Sequence, residues 1–283
     1  MIRLDVKAAL KECGDMLKKE ILITGANGMI APDLVNRLEG EYAIRLSDIQ
    51  PVSTTHKFIR ADLADATAVS EAVSGVQAIV HLGAITWDQD VLSEMIPSNI
   101  VGTYNVFEQG RKAGVERIVF ASTHHTVAYY HEDGQQNLKE DSEPRPDTFY
   151  AVTKLYGEAL ARMYYERYNL RSYCLRIGYY MTPERISEGF GRYKEALILS
   201  PDDFGQMVQL CLTTEKVEFG IYNCISKARR AWLSTEKAQK ALGYRPQGTV
   251  ESLFGDVQSA ADLTSKDFEW MHGELDSGPE RAA

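Results

Sequence analysis

The chain has 283 residues, with 31 basic against 40 acidic side chains and a net charge of −9. Hydrophobic residues are 44% and charged ones 25%, enough for a sizeable core, and without a basic excess to neutralise phosphates the chain is not expected to bind nucleic acid or an anionic membrane surface. No apolar run approaches the roughly 18 residues of a membrane span, Asp5, Lys7, Lys11, Glu12 and Asp15 interrupt any signal-peptide core, and Cys13, Cys174, Cys211 and Cys224 lack CxxC or zinc-ligand spacing, so a cytoplasmic protein with reduced thiols and no metal site is expected.

Residues 1–19 mix apolar and charged positions in a helix-compatible way and predict an N-terminal helical extension. The first strand is Glu20–Thr24, followed by a glycine turn and a helix over Ala31–Leu38. Further strands are predicted at Tyr42–Ser47, Lys57–Ile59, Gln77–His81, Arg117–Ala121 and Arg171–Arg176. Helices over Asp65–Val73, Val91–Ala113 and Thr148–Tyr168 separate most of them, and this alternation predicts βαβ units on a parallel sheet. Residues 20–176 are therefore expected to form a doubly wound, Rossmann-type α/β domain. Beyond Arg176 the pattern loosens. Gly178–Pro183 reads as a loop, Pro201–Leu212 as a capped helix, Ile221–Cys224 as a strand and Ser234–Leu242 as a helix. Residues 177–263 are expected to make a small C-terminal substrate-covering region, and 264–283 a tail.

The turn Gly25-Ala26-Asn27-Gly28-Met29-Ile30-Ala31 joins a strand to a helix. Gly25 permits a tight turn, Gly28 lets a pyrophosphate approach the backbone, and the helix N-terminal N–H groups favour its charge. Asp48 ends the second strand, 20 residues past Gly28, where a carboxylate accepts from adenosine ribose hydroxyls. A carboxylate there repels a 2′-phosphate, and no arginine follows in Ile49-Gln50-Pro51, so NAD is expected rather than NADP. A purely structural turn with a solvated Asp48 is the plainer reading. Asp62-Leu63 follows the third strand, with Asp62 either near the adenine or capping the helix at 65–73.

Tyr150 and Lys154 are four apart within a helical pattern, which puts phenol and ammonium on one face. A nearby ammonium is expected to lower the pKa of a phenol that is otherwise too weak an acid at neutral pH. Phe120-Ala121-Ser122-Thr123 ends an apolar strand, so Thr123 opens into the crevice where α/β sheets bind ligands, unless it only satisfies its own turn.

In series, Gly25-x-x-Gly28-x-x-Ala31, Asp48, Asp62-Leu63, His81-Leu82-Gly83-Ala84, Asn99-x-x-Gly102-Thr103-x-Asn105, Ser122-Thr123 and Tyr150-x-x-x-Lys154 resemble the extended short-chain dehydrogenases/reductases over about residues 20–225. The resemblance implies Thr123, Tyr150 and Lys154 as the catalytic set. It implies a NAD site made by Gly25, Asn27, Gly28, Met29, Ile30, Asp48, Asp62, Leu63, Leu82, Gly83, Ala84, Asn99, Tyr150, Lys154 and Ile177. It also implies a homodimer through a four-helix bundle of the two long helices, with Leu155, Ala159 and Met163 as a stripe for that face or for the core.

Within that family, Ile118 to Thr126, Arg145-Pro146-Asp147-x-x-Tyr150, Gly157 to Tyr164, Leu175-Arg176-Ile177-Gly178 and Ser200-Pro201-Asp202-Asp203-Phe204 look like uronate dehydrogenases and related sugar dehydrogenases, which oxidise an anomeric carbon to a lactone. By that likeness Thr86, Thr123, His124, His125, Tyr150 and Tyr179 face a sugar or sugar-acid substrate. Arg185 or Arg192 would grip its carboxylate, although neither aligns cleanly. A nucleotide-sugar epimerase or dehydratase is the alternative, against which stand Ile177-Gly178-Tyr179-Tyr180 after Arg176, where those enzymes carry an Asn, and His124-His125 after Thr123. A non-enzymatic NAD-binding sensor would need no Thr123, Tyr150 and Lys154.

Overall fold

The computed structural model describes residues 18–86, 90–182, 192–228, 230–249 and 252–253. The predicted N-terminal helix, apart from its last two residues, and the tail from 264 lie outside the described residues. Short β-branched runs alternate with helices, and the strands pair into one seven-stranded sheet. These are β1 (Glu20–Thr24), β2 (Ala43–Asp48), β3 (Lys57–Arg60), β4 (Ala78–His81), β5 (Arg117–Thr123), β6 (Arg171–Ile177) and a strand late in the chain, Phe219–Cys224. The order is β3-β2-β1-β4-β5-β6 with the late strand at the edge, and every pair is parallel. The order reverses between β1 and β4, so the crevice of an open α/β sheet lies at their carboxyl ends.

Alternate residues of one strand serve opposite faces. Ile21 and Ile23 of β1 pack with α1 (Ala31–Leu38), while Leu22 joins the core under α2 (Ala66–Val73) and α3 (Gly102–Lys112). The same second core receives Leu160, Ala161 and Tyr164 of α4 (Phe149–Tyr168). The first is closed by Phe204, Met207, Val208 and Cys211 of α5 (Pro201–Thr213). Long buried β runs are what a sheet covered on both faces requires.

Three expectations change. The helix predicted over Val91–Ala113 has two parts: Val91–Val101 is π-helical and only Gly102–Lys112 is α-helical. Pro97 lacks an N–H for the ladder, and the Gly102 N–H reaches back five residues to the Pro97 carbonyl. The loop predicted at 178–183 contains a strand, β7 (Tyr179–Tyr180), paired with β8 (Ile198–Leu199). The chain passes so closely there that a Cβ on Gly178 would lie 2.1 Å from the Leu197 carbonyl oxygen. With β9 (Phe219–Cys224) hydrogen-bonded to β6, the chain after Arg176 returns to the main sheet. Finally, Asp65 rather than Asp62 caps α2, accepting from the Thr67 and Ala68 N–H groups. No helix among the described residues is long and apolar enough to cross a membrane.

Candidate active site

The β1–α1 turn is built for close backbone approach. Gly25 has φ +72°, and a Cβ there would lie 2.6 Å from the Gly83 nitrogen, so β1 and β4 pinch together only with glycine at this position. Thr24 Oγ1 accepts from the Gly83 N–H at 3.3 Å and lies 2.7 Å from His81 Nδ1. Burial holds the His81 imidazole down to about 3, with Lys154 adding to the effect, so it stays neutral while it ties β1 to Thr103 of α3. Asn27, Gly28 and Met29 are exposed, and α1 starts at Ile30 without a capping side chain. An uncapped, exposed helix start beside a glycine turn fits a pyrophosphate.

Asp48 sits at the open end of β2. Its Oδ2 accepts from the Asn27 N–H at 3.0 Å and its Oδ1 from the Gln50 N–H at 2.9 Å, so the carboxylate is fixed against the turn and keeps lone pairs for a ribose. Asp62 Oδ1 accepts from the Ala64 N–H, and Leu63 wedges between Gly83 and Gly102, where a Cβ would lie 2.9 and 2.6 Å from its side chain. The Leu63 carbonyl accepts from Asn105 at 2.8 Å. Leu82 and Ala84 continue this half-buried wall.

On the other side of the crevice, α4 carries Tyr150 and Lys154. Thr148 caps the helix by accepting from the Ala151 N–H. Gly157 lets the helix lie on β5, since a Cβ there would be 2.2 Å from the Phe120 ring. Thr123, at the end of β5, lies beside the Tyr150 phenol and favours its ionisation, and its Oγ1 accepts from the His125 N–H at 3.3 Å. Lys154 is 3% exposed, with Nζ 4.9 Å from the Phe120 ring centre and 5.5 Å from that of Tyr150. Burial pulls the ammonium down to about 7. Burial also pushes the phenol above its ordinary value, against a smaller downward pull from Thr123. In the chain alone burial disfavours both charges, so the phenol stands above its ordinary value rather than below it.

Asn99 uses its amide inside the protein. Its Oδ1 accepts from the Ile85 N–H at 2.9 Å, and its Nδ2 donates to the Ile85 carbonyl and to Thr153 Oγ1. It therefore bolts the loop after β4 to α4 between Tyr150 and Lys154. His124 is buried, donates from Nδ1 to the Ile177 carbonyl at 3.0 Å and stacks at 4.2 Å on His125, which makes it a floor for the latter. The ring of His125 is 6.5 Å from that of Tyr150, edge to face. Thr86 is exposed at the mouth, and Tyr179 is half-buried on β7. Arg185 lies outside the described residues, as does the side chain of Arg192. Asp203 of the Ser200–Phe204 motif is a buried clamp that accepts from the Gln247 and Gly248 N–H groups and from Ser226.

A family profile described as the NAD dependent epimerase/dehydratase family matches residues 21–195. The chain belongs to this family. Similar members include the uronate dehydrogenase of Pseudomonas putida, 35% identical over 84% of this chain and 88% of that one. The L-arabinose 1-dehydrogenase (NAD(P)(+)) of Haloferax volcanii is 31% identical over 80% of this chain and 96% of its own. Among solved structures, the uronate dehydrogenase from Agrobacterium tumefaciens superposes with a TM-score of 0.74 at 30% identity, covering 83% of this chain and 86% of that one.

Three residues of this epimerase/dehydratase-family site have partners that no motif assigns. Glu158 accepts from Ser122 at 2.6 Å and from both Nε and Nη2 of Arg176, a buried network under the ends of β5 and β6. Beyond its place in the Gly157–Tyr164 stretch, its signal is helical spacing, four residues after Lys154. Thr153 receives the Asn99 amide while donating to the Tyr150 carbonyl. Asp147 Oδ2 lies 2.8 Å from His125 Nδ1, across 22 residues, and nothing in the local sequence announces that pairing.

Proposed function

We propose that the protein is a NAD-dependent oxidoreductase that oxidises a sugar or sugar acid at its anomeric carbinol to the lactone. The observation that carries this reading is Thr123 at the end of β5 beside the Tyr150 phenol, whose ionisation it favours, with Lys154 Nζ 5.5 Å from the Tyr150 ring centre one helical turn on, across the crevice from the Gly25–Gly28 turn. Gly25, Asn27, Gly28, Met29 and Ile30 would hold the pyrophosphate, Asp48 the adenosine ribose, Asp62 and Leu63 the adenine end, and Leu82, Gly83, Ala84 and Ile177 the walls. NAD, when bound, supplies the hydride acceptor.

The chain's own side chains handle the proton. Thr123 bonds the substrate oxygen and Tyr150 takes the proton as that oxygen becomes a carbonyl. The phenol needs a cation beside it to favour its charged form, and Lys154, whose own ammonium burial pulls down to about 7, is that cation in its protonated state. His125, Thr86 and Tyr179 line the substrate side, with His124 beneath. Arg185 and Arg192 remain the proposed partners of a carboxylate.

The exposed apolar residues Val101 and Tyr104 before and on α3, and Val152 and Met163 on α4, support a homodimer through a four-helix bundle. Ala159 shares that exposed face, whereas Leu155 is half-buried. Three buried, unpaired cysteines, Cys174, Cys211 and Cys224, suit a reducing, cytoplasmic setting. The test is NADH formation from NAD with a panel of hexuronates and free aldoses. Turnover of at least one, with the lactone as product, is expected, and no turnover of any would refute the reading.

A further inference from the structure

We infer that Asp147 is a positioning residue that fixes His125 as a hydrogen-bond acceptor for a substrate hydroxyl. The inference rests on the sugar-oxidising reading above and deepens it. Asp147 precedes the Thr148 cap of α4, a place where a carboxylate commonly serves only the helix start. It does not act as the cap: Thr148 accepts from the Ala151 N–H at 3.2 Å, while Asp147 Oδ2 lies 2.8 Å from His125 Nδ1. The Asp147 side chain is 11% exposed and that of His125 is 25% exposed, so the pair is shielded while one side of the imidazole stays open.

The chemistry of the pair is directional. A carboxylate only accepts, so the proton of the neutral imidazole must lie on Nδ1, leaving the lone pair on Nε2. The ring is also clamped by its own backbone, since the His125 N–H donates to Thr123 Oγ1, and by His124 stacked at 4.2 Å. Thr123, His125 and Tyr150 are thus held in one frame, with the His125 and Tyr150 rings 6.5 Å apart at 73°. An acceptor Nε2 on a ring held this close to the Tyr150 ring selects a hydroxyl hydrogen near the reacting carbinol and offers nothing to a carboxylate oxygen. Carboxylate recognition then falls to other groups.

The test uses the full chain with its six histidines labelled with 15N. At about pH 8.5, where an ordinary imidazole is neutral, long-range 1H–15N spectra, assigned by comparison with His125→Ala, should show the His125 proton on Nδ1. Asp147→Ala should abolish that preference. In steady-state kinetics Asp147→Ala should raise the KM of the oxidised sugar about tenfold and leave the KM of NAD within about twofold. In a His125→Ala background it should add nothing, because its effect passes through the ring. A wild-type ring protonated on Nε2, or additive effects in the double variant, would overturn the inference. The spectrum needs no substrate, so it decides the role of Asp147 even if the sugar panel refutes the functional reading.

Discussion

Lys154, the cation of the proposed mechanism, is held in the fold at a cost in stability. Its ammonium has a pKa of about 7 in the folded chain against 10.5 as the ordinary value, and the cause is burial. Between those values the unfolded chain binds a proton that the folded chain does not, so stability should rise with pH across that window; below about 7 the full penalty of a buried charge remains. Lys154→Met removes the penalty. The variant without cofactor should melt roughly 5 °C higher at pH 7, at about 2–4 °C per kcal/mol for a chain of this size, and calorimetry measures it. Turnover and NAD affinity should both fall. A lower melting temperature would contradict the burial argument. His81 should take no part in any pH response near neutrality, since its imidazole is held down to about 3.

Among the elements, α4 does most to organise the site, and its ties are energetic as well as geometric. Glu158 and Arg176 are 4% and 2% exposed and bonded through two nitrogens, with Ser122 completing the carboxylate. Breaking such a pair from one side strands a charge, so Glu158→Gln should cost about 3–5 kcal/mol in chemical denaturation. The double variant Glu158→Leu with Arg176→Met should recover most of that loss, because no charge is left unpaired. The helix itself, the Rossmann-type sheet and the serial placement of Gly25, Asp48, Thr123, Tyr150 and Lys154 were legible in the sequence, because each depends on local periodicity or on a motif within a few residues. The π-helical turns at Val91–Val101 were not, since one proline inside an apolar run carries no register signal. Strand β7 was not legible either: its pairing with Ile198–Leu199 depends on contacts 19 residues away. The Asp147–His125 pair and the Asn99 bolt join distant segments, and only packing brings them together.

At the scale of the whole molecule, the apolar residues around α3 and α4 lie on the side of the sheet away from α1 and α5. In a dimer they would pack against their own copies and leave the crevice open. Tyr104→Glu places a charge in that contact, so it should shift the protein to monomer by light scattering at micromolar concentration, whereas the wild type should be a dimer. A monomeric wild type would remove the four-helix bundle. In the proposed mechanism the proton transfer rests on the phenol. Tyr150→Phe removes one oxygen from a packed helix and leaves the glycine turn and Asp48 untouched. The deciding measurement is the turnover of this variant set beside its NAD affinity: turnover should fall by roughly 10²–10⁴-fold while NAD binds within about twofold of the wild type, and near-wild-type oxidation by Tyr150→Phe would contradict the mechanism.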